Sequence, residues 1–166
     1  MENLLNKISS YNILNNLIPG AVFVYFWSAL NIGTLPSCNI IERVILYYFC
    51  GLIVSRVGSL VIERFFQKVN LVSYAPKSEY IEATKHDHLI KTLLESNNMY
   101  RTFTGLFLVL AIVKAYMVVD SYFHISHEIS AWIVLIGLFF LFAGSFCKQT
   151  KHIRSRIEAA LEEKQP

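Results

Sequence analysis

Acidic side chains are missing from the four most apolar stretches of this chain, 17–35, 44–62, 102–119 and 130–147. Their absence removes the usual carboxylate of a proton or cation relay and argues against an active transporter. Cysteine is scarce as well. Cys38, Cys50 and Cys147 supply neither a disulfide framework nor close metal-ligand spacing. Cys50 and Cys147 read as apolar filler, and Cys38 is expected on the outside, where it can cross-link copies. The sequence has no phosphate-cradling Gly-rich loop, no HExxH, no GxSxG and no nucleophile with a placed base. It also lacks repeats, low-complexity runs and long linkers. No catalytic residue, metal or cofactor is therefore assigned, and the protein is expected to be non-enzymatic.

What is present is apolar length. The 166 residues are 54% hydrophobic, with a mean hydropathy of +0.44, too apolar for an ordinary soluble domain. Stretches of 18 or 19 residues rise roughly 27 to 29 Å as helices, which matches a hydrocarbon layer of ~30 Å. Backbone groups in that layer must bond within their own element, so helices follow from the burial. Residues 1–16 lack a basic start followed directly by an apolar core, so the first stretch is expected to remain in the mature protein.

Charge gives these spans a direction. Twelve of the 15 Lys and Arg residues lie in the N-terminus, the 63–101 segment or the tail from 148, Arg43 lies in a loop on the other side, and Arg56 and Lys114 lie inside spans. By the positive-inside rule both ends face the cytosol. The expected fold class is an all-α integral-membrane bundle of four transmembrane helices in a single domain. Residues 3–16 are spaced for a helix lying in the interface, with Pro19 in the first turn of the opening span. A cytosolic helix is expected between spans two and three, capped by Ser78, running to about Ser96 and stopped by Asn97 and Asn98. The tail 148–166 reads as a helical extension of the fourth span.

Arg56 and Lys114 are the costly residues, because a cation well inside a span costs at least ~2.5 to 3.5 kcal/mol unless it snorkels or pairs. Each must bend against the tilt of its helix to reach its nearer surface. Pairing is the leading expectation, with snorkelling and a pore or ligand role as alternatives. The partners considered are Glu42 or Asp120 for Lys114, and Ser59, Glu63, Glu79 or Glu82 for Arg56. Gly51, Ser55 and Ser59, with Gly58 beside them, form a small-residue stripe for helix packing, within one bundle or between copies. Ala29 with Gly33 and Gly137 with Gly144 are weaker versions. His124 and His127, beside Asp120 and Glu128, are a weak metal candidate, and interface histidines are the simpler reading. Basic residues of 63–101 alternate with Glu79, Glu82, Asp87 and Glu95, which disfavours a nucleic-acid groove and favours a protein or lipid partner.

The run Gly51-Leu-Ile-Val-Ser-Arg56-Val-Gly-Ser-Leu-Val-Ile-Glu63, with Tyr80-Ile-Glu-Ala-Thr-Lys-His-Asp87 and Glu95-Ser-Asn-Asn-Met-Tyr-Arg101, resembles small bacterial four-helix inner-membrane proteins of phage-defence loci. The Kiwa membrane subunit is one example of that type. The resemblance covers roughly the middle third of the chain. It implies a membrane subunit, oligomeric in the bilayer, that works with a cytosolic protein as sensor, anchor or membrane-disrupting effector. It also implies a structural cluster of Arg56, Glu63, Asp87, Asn97, Asn98, Tyr100 and Arg101, to which Lys114 is added on cost alone. A small oligomeric ion channel or transporter is the alternative.

Overall fold

The computed structural model of the protein describes residues 2–34, 37–87 and 89–162. Among the described residues the chain is all-helical, with no strand. The elements are α1 (Glu2–Ala29), α2 (Ile40–Val57), a π-helical turn (Gly58–Ile62), α3 (Glu63–Lys68), α4 (Lys77–His86), α5 (Leu89–Phe123) and α6 (His127–Glu162). Three stretches are long and apolar enough to cross a membrane: Ile40–Lys68, Leu89–Phe123 and His127–Glu158. The apolar part of α1, Ile13–Ala29, is shorter, about 26 Å.

Three boundaries differ from the sequence expectation. The segments expected as an interfacial helix and a first span form one helix, which continues through Pro19. An interior proline forfeits a backbone hydrogen bond at a cost of about 3 kcal/mol. Pro19 is fully buried in the turn of α1 that packs on α2, and that packing offsets the loss. The helix of the first apolar stretch also stops early, at Ala29. Asn31 takes the left-handed conformation (φ 50°), Asn31 N–H bonds Ser28 O and Ile32 N–H bonds Trp27 O, the paired bonds of a Schellman C-cap. The same closure recurs after α3 at Asn70 (φ 56°).

The helix expected within the 63–101 segment is cut differently as well. It begins at Lys77, so Ser78 falls inside its first turn, and it ends at His86. Asn97 and Asn98 stop nothing, because α5 continues unbroken to Phe123. Ile90, Leu94, Asn98, Thr102, Leu106 and Leu110 recur at intervals of four along one semi-buried or buried stripe, and this continuous face overrides the weak helix propensity of two asparagines. The break comes at Asp87, whose carboxylate accepts Leu89 N–H at 2.8 Å and opens α5. The last residues of the tail, 163–166, and His88 lie outside the described residues.

The core joins α1, α2 and α5 through Phe23, Val24, Val54, Leu106 and Leu110. Side chains this apolar gain little by leaving lipid for one another, so close approach must hold the helices together. Two glycine crossings provide it. A Cβ on Gly51 would collide with Asn16 O, and one on Gly20 would collide with Tyr47 O, so α1 and α2 meet backbone to backbone. Gly58 and Gly105 do the same for α2 and α5. Helix α6 lies outside this core with almost its whole apolar length uncovered.

Candidate functional site

Glu63 is the first residue beyond the second apolar stretch, Arg101 the last before the third and Lys148 the first after the fourth. The fold brings all three together. Glu63 Oε2 accepts from Arg101 Nη1 at 2.5 Å, and Glu63 Oε1 accepts from Lys148 Nζ at 3.0 Å. The side chains are 15%, 23% and 36% exposed in the order Glu63, Arg101, Lys148, so one carboxylate bridges two cations at a half-dry boundary.

The π-helical turn completes the arrangement. Glu63 N–H bonds Gly58 O, five residues back, instead of Ser59 O, four residues back. Lys148 Nζ takes up that Ser59 carbonyl at 2.9 Å and the Ser59 hydroxyl at 2.8 Å. All three ammonium protons of Lys148 thus meet oxygens, two of them supplied by one residue whose carbonyl the π turn has turned away from its α-helical donor. Such turns inside α-helices are often found at functional positions. Arg101 is less fully served, since its buried Nε has no hydrogen-bond partner among the described residues.

The cluster fixes the π-helical turn and the start of α3, α5 and α6 at one level, and sets the rest of α3, the N-terminal part of α5 and the C-terminal part of α6 at the same end of the bundle. In the sequence Lys148 stands out only as the start of a tail. Its signal there is its position, immediately after an apolar stretch, where a long cation caps the end of a span. Gly20 and Gly105 carry no such signal, since neither belongs to a run of small residues.

Other expected members lie elsewhere. Asp87 caps α5, Asn98 O accepts from Thr102 Oγ1 at 2.8 Å, and Asn97 and Tyr100 are exposed. Glu79 and Glu82 are also exposed. Lys114 bonds neither Glu42 nor Asp120. Its Nζ donates to Leu30 O at 2.7 Å, placing the cation on the C-terminus of α1, where the helix dipole favours it. Glu42 closes a capping box with Asn39 at the start of α2, and Asp120 accepts Ile125 N–H at 3.1 Å after α5. Gly51, Ser55 and Gly58 are buried in the helix crossings, whereas Ser59 belongs to the Lys148 contact. Gly144 touches Leu60, and Gly137 faces open space.

Arg56 is half-buried and has no ion-pair or hydrogen-bond partner among the described residues. Among them, too, no group of three or more His, Cys, Asp or Glu side chains is placed to hold a metal ion. Comparisons with family models, with curated proteins and with solved structures find no match. Chemically, the cluster can fasten three helices, present charge at an interface and respond to an added ion.

Proposed function

We infer that the protein is a non-enzymatic, multi-pass component of a bacterial inner membrane, with four spans and with both termini in the cytosol. The observation that carries this reading is the Glu63–Arg101–Lys148 bridge, which joins the boundary residues of three apolar helices. The apolar part of α1 is the fourth span, shortened by its early C-cap and tied to its neighbour by Lys114. The excess of Lys and Arg at the bridged end makes that end cytosolic.

In this reading the mixed-charge surface of α3, α4 and the ends of α5 and α6 docks a cytosolic protein, and the exposed face of α6 meets lipid or further copies. The resemblance to membrane proteins of phage-defence loci makes phage defence the setting, with the protein as sensor, anchor or membrane-disrupting effector. A bacterial host carrying the gene should plate phage less efficiently than its deletion strain, and the Glu63→Gln allele should behave like the deletion. Equal plating by all three strains contradicts the defence reading. Ion flux into proteoliposomes from the purified chain alone would favour a channel instead.

A further inference from the structure

Among residues 148–158 only two are apolar, Ile153 and Ile157, and they stand four apart. Both are more than half exposed, at 51% and 55%. Helix α6 runs unbroken to Glu162, so it carries them straight past the level of Lys148, by about 8 and about 14 Å. In the orientation proposed above the headgroup layer is roughly 5 to 8 Å deep, which leaves Ile157 in water. Lipid does not cover it there.

Neither isoleucine stands alone. Back along α6 the same face holds Thr150, Phe146, Ala143 and Phe139, at steps that alternate between four and three residues. The alternation continues without a fault through Ile136 and Trp132 to Ile129, giving a seam of four heptads. Every member is exposed except Ala143, which is half-buried. The residues that meet the bundle lie elsewhere on the helix: Phe142 stacks on Phe49, Ser145 is buried, and Lys148 is held by Ser59 and Glu63. At 100° per residue the seam is centred about 140° round the helix from Ser145, facing away from the bundle.

Inside the bilayer such a seam can rest on lipid, but past Lys148 it cannot, and one occupant suits both parts. Two copies inserted by the same charge rule run in the same direction, so a two-fold axis along the membrane normal sets each seam residue opposite itself over the whole length. A soluble protein reaches only the last turns. The seam is about 42 Å long and about 10 Å wide, roughly 800 Å² over two copies before side-chain relief is counted, close to the ~1,000 Å² where specific interfaces begin. Its a positions are Ile129, Ile136, Ala143, Thr150 and Ile157, and β-branched residues there favour two strands. Parallel pairing sets Gln149 against Arg154 of the second copy, whose charge Glu158 already meets, so no like charges oppose at that step.

We propose that α6 forms a parallel two-stranded coiled coil with α6 of a second copy, from Ile129 through the bilayer to Ile157. The pairing rests on the membrane reading and not on the defence reading.

The test uses the full chain with Cys38, Cys50 and Cys147 replaced by Ser, expressed in cell membranes and oxidised with copper phenanthroline. Phe146→Cys, Thr150→Cys, Ile153→Cys and Ile157→Cys should each give disulfide-linked dimers, and Lys151→Cys and Ser155→Cys should give about tenfold less or none. Purified in detergent, the unsubstituted chain should be dimeric by light scattering, and Ile153→Asp with Ile157→Asp, confined to the exposed tail, should weaken the dimer about tenfold or more. No cross-link at any of the four seam positions, or equal cross-linking at Lys151 and Ser155, would overturn the pairing. So would a chain that is monomeric in detergent while Ile157→Cys is shielded from maleimide in cells, because a cytosolic protein would then cover the seam. Carbonate washing separates this proposal from the reading beneath it. A chain stripped from membranes contradicts both, whereas a chain that stays without cross-linking contradicts the pairing alone.

Discussion

Glu63 does at one carboxylate what three helix ends require. Replacing it with Gln leaves Arg101 and Lys148 facing each other without a counter-charge, in a site neither fully wet nor fully dry. The expected loss is about 1–3 kcal/mol, between the limits for exposed and fully buried pairs, measured by unfolding in mixed micelles. Lys148→Met should cost less, since that side chain is the most exposed of the three and Arg101 keeps its partner. A second residue-scale expectation concerns Asn31. Its left-handed backbone suits Gly and penalises a residue with a Cβ and no polar side chain, so Asn31→Ala should destabilise by about 1 kcal/mol and Asn31→Gly should not. Equal melting of the two variants would contradict the C-cap assignment. Lys114 shows where pairing arguments drawn from sequence fall short. A search for a carboxylate overlooks the carbonyl end of a helix, which is an anion in all but name.

Glycine decides the contacts between elements. Gly51 and Gly137 both sit in apolar helices and look equivalent in the sequence, yet one touches backbone and the other touches nothing. Gly51→Ala should therefore force α1 from α2 and lower stability by roughly 1–3 kcal/mol, the usual cost of overpacking. Gly137→Ala should be neutral or should gain up to ~1 kcal/mol from helix propensity. Thermal melting of the two variants side by side checks this, and equal losses would refute the packing scheme. Helix boundaries are less legible in the sequence than helix positions, for a physical reason. Pro19, a local start signal, and the Asn97–Asn98 pair, a local stop signal, are each overridden by a buried stripe that continues past it. Asp87 stands out in the sequence as a charge and not as a cap, because its role depends on where the next helix begins.

At the scale of the whole molecule, hydropathy marks the ends of the apolar stretches closely, and Glu63, Arg101 and Lys148 are the residues that stand at those ends. Their convergence on one carboxylate is not legible there, since it requires α2, α5 and α6 to lie side by side. The π turn that frees Ser59 O for Lys148 leaves no trace in hydropathy at all. Together these contacts make a molecule whose bridged end carries most of its charged residues, while its opposite end has two short connections closed by their own caps. The orientation of that charged end is the central claim, and cysteine accessibility tests it most directly. In a chain with Cys38, Cys50 and Cys147 replaced by Ser, single cysteines at Gln67 and Lys151 should react with a membrane-impermeant maleimide only in inside-out vesicles. A cysteine at Tyr122 should react only in right-side-out spheroplasts. Labelling of position 67 or 151 from the outside would contradict the account.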